Sequence, residues 1–119
     1  MIRIVVADDE MIVRAAFRFM LERKLDSVHV RCAAHAASLL EAVERRCPDV
    51  VILDWELPGK DPAQLINTLR SLCPDTHLVI TSTRPSIASQ AIGAGADKLV
   101  NKGEPPDALI NYLQQLATA

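Results

Sequence analysis

The sequence predicts an α/β fold in which a five-stranded parallel sheet is doubly wound, with helices on both faces. Three observations support this prediction. Short apolar runs alternate along the chain with longer segments in which apolar residues recur with a period near 3.6. Some of the short runs are almost continuously apolar, as strands buried on both faces must be. Proline and glycine stand where one kind of segment gives way to the other.

Each predicted strand is short and rich in Val, Ile or Leu. The first, third and fourth are nearly continuously apolar, which is typical of strands covered on both sides. The five predicted strands span residues 2–7, 28–33, 49–54, 77–82 and 97–101.

Five helices are predicted between and after these strands. Four carry a single apolar stripe, which indicates that one face packs on the sheet. The first differs because its apolar residues, among them Ile12, Phe17 and Phe19, cover most of its circumference. Such a helix is either deeply buried or shares a face with a partner. The five predicted helices span residues 10–24, 36–46, 62–73, 86–94 and 105–117.

Length and charge restrict the class of protein. The 119 residues are expected to form one domain, 1–119, with no effector domain in this chain. The net charge is −2 and no basic stripe is present, so we expect no nucleic-acid contact by this domain itself. No apolar stretch approaches the ~20 residues of a membrane span, so we expect a cytoplasmic protein without membrane contact.

The cysteines are odd in number and scattered, at Cys32, Cys47 and Cys73. Their spacing matches neither a metal site nor a disulfide framework. We therefore expect reduced and mostly buried thiols, as is usual in the cytosol.

Acidic residues follow two of the apolar runs. Asp8, Asp9 and Glu10 come directly after the first predicted strand, and Asp54 ends the third. The carboxyl ends of parallel strands lie at one edge of a sheet, where ligands of such folds bind. Crowded carboxylates repel one another unless a cation joins them, and hard oxygen ligands favour Mg²⁺ or Ca²⁺. The sequence therefore predicts a cation site formed by Asp8, Asp9 and Asp54.

Four blocks in order resemble the receiver domain of response regulators in two-component signal transduction. They are Val5-Val6-Ala7-Asp8-Asp9-Glu10, Pro48–Asp54 followed by Leu57-Pro58-Gly59, Pro74–Ser82, and Ala94-Gly95-Ala96-Asp97 with Lys102. The resemblance covers essentially the whole chain. It implies a flavodoxin-like fold with strand order 2-1-3-4-5.

The resemblance also implies a role for each acidic residue. Asp54 would be the phosphoacceptor that attacks the phosphoryl group of a partner's phosphohistidine. Asp9 would bind Mg²⁺ directly and Asp8 mostly through water, while Asp54 and the backbone carbonyl of Glu56 complete the metal ligands. Mg²⁺ is thus the implied cofactor.

Two further positions complete the implied catalytic set. Lys102 would neutralise the oxygens of the transferred group. Ser82 would hydrogen-bond the phosphoryl group and report its presence. Thr81 is the alternative, because neighbouring strand residues point to opposite faces and only one of the two can face the site.

Simpler explanations exist for each of these residues taken alone. Asp8 and Asp9 are also suited to cap the first helix. Asp54 could begin a turn, and Lys102 could be a solvated surface lysine. Only the combination of the four blocks favours the receiver interpretation.

Some positions depart from the family pattern and affect how phosphorylation would be read out. Leu99 stands where many members have Tyr or Phe, and Pro62 replaces an expected Gly. Glu56 and Arg84 each lie two residues beyond a site residue, at positions that tune hydrolysis in the family. Their opposite charges could pair across the mouth of the site and slow attacking water. Two independent surface charges are the alternative.

The implied function is that of a phosphorelay switch, not a conventional enzyme. A sensor histidine kinase or phosphotransfer protein would donate the phosphoryl group, and a population shift at the fourth-helix face would carry the output. A helix-turn-helix DNA-binding domain beyond residue 119, regulating transcription, and a homodimer are expectations by analogy. The alternatives are a degenerate receiver that only binds partners, and a small aspartyl-phosphate phosphohydrolase.

Overall fold

The computed structural model describes residues 1–118 and contains one five-stranded parallel sheet in the order β2-β1-β3-β4-β5. Predicted class, strand order and strand positions are all confirmed, with boundaries that differ by one residue or less. The strands are β1 (Ile2–Ala7), β2 (Val28–Ala33), β3 (Val50–Asp54), β4 (His77–Ser82) and β5 (Lys98–Asn101).

All five predicted helices are present as well. A short 3-10 turn, Pro85–Ile87, precedes the fourth helix, and Gly95 ends that helix with a φ of 120°. That positive φ is accessible to glycine without steric conflict, which explains why the helix ends at this residue. The helices are α1 (Met11–Lys24), α2 (Ala36–Arg45), α3 (Pro62–Leu72), α4 (Ala88–Ala94) and α5 (Asp107–Thr118).

Alternation along the strands divides the core into two layers, one on each face of the sheet. In β3, Val51 and Leu53 pack with α2, α3 and α4, whereas Val50 and Ile52 pack with α1 and α5. All five residues of β3 are buried. This burial fixes the strand that ends at Asp54 more firmly than an edge strand would be fixed.

Local hydrogen bonds explain where two of the helices begin. His35 caps α2 through a reciprocal pair of bonds with Ser38, and Asp61 caps α3 by accepting the Gln64 N–H at 3.1 Å. Pro62 occupies the first turn of α3, where its missing N–H has no intrahelical partner to lose.

The expectation of reduced thiols is wrong for two of the three cysteines. Cys47 and Cys73 form a disulfide, with Cα atoms 5.6 Å apart. They precede β3 and β4, which are neighbours in the sheet, so parallel pairing places both loops at the amino ends of adjacent strands. Cys32 is the free cysteine and is only partly buried.

Hydrogen bonds reinforce the amino end around that disulfide. The Thr76 hydroxyl donates to the Pro48 carbonyl at 2.7 Å, and the His77 N–H donates to the Asp49 carbonyl at 2.9 Å. Among residues 1–118, none of the helices combines the length and the apolar character needed to cross a lipid bilayer.

Candidate functional site

The carboxyl ends of β1 and β3 bring two acidic residues together. Ala7 pairs with Leu53 in the parallel ladder, so Asp8 and Asp54 are the next residues of adjacent strands. Both are buried, with 2% and 4% of their surface exposed. Buried carboxylates need compensating charge or hydrogen bonds, so this edge of the sheet is the candidate for a chemical site.

Lys102 supplies compensating charge to both of them. It directly follows β5, and its N–H donates to the Ser82 carbonyl at 3.0 Å, which fixes its backbone at the sheet edge. Its Nζ lies 2.8 Å from Asp8 Oδ2 and 3.2 Å from Asp54 Oδ1. A solvated surface lysine would not bridge two buried carboxylates in this way.

The pKa directions reflect this crowding. Burial raises the pKa of Asp54, a neighbouring Glu56 N–H lowers it, the Asp8 charge raises it and Lys102 lowers it, with a net increase. Burial would lower the pKa of Lys102, but the hydrogen bond to Asp8 and the charge of Asp54 outweigh it and raise that pKa. Lys102 therefore stays charged, while its single positive charge does not fully neutralise Asp8 and Asp54 together.

The chain after β1 gathers further carboxylates at this edge. One carboxylate oxygen each from Asp8, Asp9 and Glu10 lies within 4.8 Å of the others. Asp9 and Glu10 are exposed, whereas Asp8 is buried. Donors that are all oxygen suit a hard divalent cation such as Mg²⁺, and two positive charges would offset the excess carboxylate charge beside Lys102. Glu10 was not among the predicted ligands.

Helix capping does not account for Asp8 and Asp9. The N-cap of α1 is Glu10, whose side chain makes no capping hydrogen bond. Asp8 Oδ1 instead accepts the Glu10 N–H at 2.9 Å, and the Asp8 carbonyl accepts a bond of 2.8 Å from the Arg14 guanidinium. Sequence analysis missed Arg14, for which the only signal was its place in the first turns of a helix that follows the acidic run.

The loop after β3 is anchored on both sides of the site. The Glu56 N–H donates to Asp54 Oδ1 at 3.2 Å, and the Pro58 carbonyl accepts the Ala36 N–H at 2.9 Å. Gly59 has a φ of 108°, and a side chain added there would approach the start of α2 closely. These contacts hold the Asp54 carboxylate and the backbone of Glu56 in a fixed relation.

The two hydroxyl candidates at the end of β4 lie on opposite faces. Ser82 is buried, accepts the Arg84 N–H at 2.9 Å, and borders a cavity beside α4 together with Leu99. Thr81 is also buried, pairs directly with Asp54 in the ladder, and lines a groove beside α1 together with Lys102. Neither hydroxyl hydrogen-bonds Asp54 in this structure, so the choice between them stays a prediction.

Glu56 and Arg84 form an ion pair between their side chains. Both side chains are largely exposed, at 60% and 54%. The pair joins the loop after β3 to the loop after β4, which are the two loops that follow Asp54 and Ser82. Opposite charges therefore do meet at the rim of the site, as the pairing hypothesis requires.

An apolar groove of about 290 Å³ opens beside Lys102. Its α1 wall includes Ile12, Phe17 and Met20, and its other wall comes from the segment that joins β5 to α5. Ile12 is 80% exposed and Phe19, further along α1, is 64% exposed. The unusual apolar circumference of α1 thus corresponds to an exposed face and not to deep burial.

Known proteins are similar to this chain over nearly its whole length. The family model for the response regulator receiver domain matches residues 4–114. Protein-glutamate methylesterase/protein-glutamine glutaminase 3 of Shewanella oneidensis is 32% identical over 97% of this chain and 33% of its own length. Transcriptional regulatory protein DesR of Bacillus subtilis is 28% identical over 98% of this chain and 58% of its own length.

Solved structures agree with the family match. The crystal structure of a two-component response regulator of the LuxR family from an Aurantimonas species has a TM-score of 0.87 and 28% identity. The structural match covers 98% of this chain and 86% of the Aurantimonas chain. The chain spans about a third to somewhat more than half of the two relatives compared by sequence.

Proposed function

The chain belongs to the response regulator receiver domain family, and on that premise we propose that it accepts a phosphoryl group on Asp54. The observation that carries the proposal is the bridging of two buried carboxylates, Asp8 and Asp54, by the Lys102 ammonium group. An oxygen of Asp54 attacks phosphorus while the bond from phosphorus to the donor's histidine nitrogen breaks, and the imidazole leaves with that electron pair.

The chain's own residues would position this reaction. The Glu56 N–H and Lys102 hold the Asp54 carboxylate in place, and Lys102 can turn toward phosphoryl oxygens as charge is transferred to them. Burial and the Asp8 charge raise the pKa of Asp54, so its ionised carboxylate is a stronger nucleophile than that of an exposed aspartate. Asp8, Asp9, Asp54 and the Glu56 carbonyl would hold Mg²⁺, which would supply positive charge to the phosphoryl oxygens.

The apolar groove beside Lys102 indicates the kind of donor. Its exposed α1 wall lies next to the site, so a partner that packs an apolar helix there would bring a phosphohistidine within reach of Asp54. A sensor histidine kinase or phosphotransfer protein of the cytoplasm has this chemistry. Transcription control is the proposed output, because DesR, one of the relatives, is a transcriptional regulatory protein.

Acetyl phosphate with Mg²⁺ tests the central step. The intact mass of the chain should rise by one phosphoryl group, and Asp54→Asn should abolish the gain. Asp49→Asn, which alters an exposed acidic residue at the other end of the sheet, is the matched control and should still gain the mass. An unmodified wild-type chain that remains folded would refute the proposal and leave a partner-binding module in its place.

Amide exchange of the chain with and without acetyl phosphate assigns the reporting hydroxyl. We propose Ser82, because its hydroxyl lies on the α4 face and can exchange its contact with Arg84 for one with the phosphoryl group. Ser82→Ala should then still accept the phosphoryl group but lose the change in amide exchange at α4. If Thr81→Ala loses that change and Ser82→Ala keeps it, the assignment passes to Thr81.

A further inference from the structure

The disulfide lies at the end of the sheet opposite Asp54 and joins two loops of the same composition. Cys47-Pro48-Asp49 leads into β3, and Cys73-Pro74-Asp75 leads into β4. The bond closes a ring across a sequence separation of 26 residues. That ring contains all of β3 and α3, so the covalent link constrains the segment that carries Asp54.

The two sulfur-bearing residues differ in access. Cys47 is exposed, whereas Cys73 is 3% exposed and belongs to the core. The exposure of Cys47 lets an external thiolate approach the bond from the Cys47 side.

The loop that contains Cys73 is connected to the end of α4 by one side chain. Arg70, in the last turn of α3, donates to the carbonyls of Pro74 at 3.0 Å and Thr76 at 2.8 Å. It also donates to the Gly95 carbonyl at 2.8 Å and to the Asp97 carboxylate at 2.7 Å. We call this set of contacts the Arg70 clasp.

The clasp also reaches the sheet. Asp97 Oδ2, which Arg70 contacts, accepts the Leu78 N–H at 2.7 Å, and the Asp97 N–H donates to the Leu78 carbonyl. The Thr76 N–H in turn donates to the Cys73 carbonyl at 3.2 Å. A continuous chain of contacts thus runs from the disulfide through Arg70 to the point where α4 ends and β5 begins.

We propose that the Cys47–Cys73 bond is a reversible thiol switch, exchanged with glutathione-class thiols and disulfides, that sets how firmly the Arg70 clasp holds the end of α4. In the reducing direction, a glutathione thiolate attacks the Cys47 sulfur and the S–S bond breaks. Cys73 leaves as a thiolate and takes a proton. A second glutathione thiolate then attacks the glutathione sulfur of the mixed disulfide, releasing the Cys47 thiolate, which is protonated, and glutathione disulfide.

The reverse sequence, with glutathione disulfide as the oxidant, restores the bond. Two protein thiols lose two electrons and two protons, and glutathione disulfide gains them as two thiols. Reduction removes the covalent link between the Cys73–Thr76 turn and the loop before β3 and leaves the Thr76–Pro48 hydrogen bond between them, so the Pro74 and Thr76 carbonyls that bind Arg70 are less fixed. The inference rests on the proposed function only in treating the α4 face as the output surface.

Hydrogen–deuterium exchange of the unphosphorylated chain tests the switch. Peptides covering residues 88–97 should exchange about threefold faster after equilibration with excess reduced glutathione than in the oxidised chain. Glutathione disulfide should reverse the change. Because no phosphoryl donor is present, a failure of Asp54 to accept phosphate would leave this result unaffected.

Three variants separate the switch from a general loss of stability. Cys47→Ser should exchange like the reduced wild type and ignore glutathione, whereas Cys32→Ser should respond like the wild type. Arg70→Lys keeps the charge but lacks the planar fork of donors, so its α4 exchange should be the same in both redox states. Equal exchange in the oxidised and reduced wild type, or a redox response that survives in Arg70→Lys, would overturn the proposal.

Discussion

The two ends of the sheet are built in opposite ways. At the amino ends of β3 and β4, a disulfide joins the two loops covalently. The Thr76 hydroxyl and the Arg70 clasp give the carbonyl groups there hydrogen-bond donors. At the carboxyl ends, Asp8 and Asp54 share one lysine, and burial and like charge raise the pKa of Asp54. The amino end therefore contributes stability, whereas the unbalanced charge of the carboxyl end is suited to binding a cation and a phosphoryl group.

If this comparison is right, the largest loss of stability comes from opening the disulfide. The ring that it closes, across a sequence separation of 26 residues, should contribute about 3.5 kcal/mol to the free energy of unfolding, because the link restricts the unfolded chain. Urea unfolding of Cys47→Ser against wild type measures this. Cys32→Ser is the control for loss of a thiol, and an equal loss in that variant would contradict the assignment of the effect to the bond.

The second test of the amino end is Arg70→Ala. Four hydrogen bonds disappear and the Thr76 and Gly95 carbonyls lose a charged donor, so we expect a loss of about 2 kcal/mol in the free energy of unfolding. Arg45→Ala is the matched control, since Arg45 makes only an exposed pair with Glu41 within α2. That control should change stability by less than about 0.5 kcal/mol. Similar losses in both variants would mean that the clasp contributes no more than a surface pair.

At the carboxyl end, adding a divalent cation should instead increase the free energy of unfolding. Mg²⁺ at ten times its dissociation constant should raise the free energy of unfolding by about 1.4 kcal/mol, because only the folded chain presents the site. Thermal unfolding with and without Mg²⁺ measures the gain. Asp9→Asn should reduce it, whereas Asp26→Asn, an exposed acidic residue before β2, should keep it. An equal gain in both variants would argue against a site at Asp9.

These regions also differ in how far sequence could predict them. Asp8 and Asp54 were predictable because parallel strands bring their carboxyl ends together, whatever the details of the loops, whereas Lys102 was predicted from the resemblance to receiver domains. The disulfide and the Arg70 clasp were not, because they depend on how separate loops meet at the amino end. The hydroxyl choice stayed open because a one-residue shift in β4 exchanges the faces of Thr81 and Ser82.

Asp54→Asn should stabilise the chain at neutral pH by about 1 kcal/mol. The substitution removes a buried charge that Asp8 repels, and Lys102 keeps its contact with Asp8. Because the folded-state pKa of Asp54 lies above its unfolded value, the wild type loses stability as pH rises through that folded pKa.

The stabilisation by Asn should therefore grow from low pH toward neutral pH. Urea unfolding at several pH values measures it, with Asp75→Asn as the exposed control at the amino end. A destabilised Asp54→Asn at neutral pH would break the comparison, since it would show that the Asp54 charge is fully compensated.

The smallest expected effect concerns the ion pair at the rim of the carboxyl end. Glu56 and Arg84 are too exposed for their pair to add much stability, so Arg84→Ala should leave the unfolding midpoint nearly unchanged. Its expected effect is kinetic, and it applies if Asp54 is phosphorylated as proposed. Without the pair, water reaches the phosphoryl group more easily, and the phosphoryl lifetime should fall about threefold, equivalent to about 0.6 kcal/mol of barrier. Decay of the phosphorylated mass after removal of acetyl phosphate measures that lifetime.

Glu56→Ala should shorten the phosphoryl lifetime equally, and the double variant should add nothing further, since either change already opens the rim. An unchanged lifetime in Arg84→Ala would remove the gate and leave the two residues as surface charges that happen to meet.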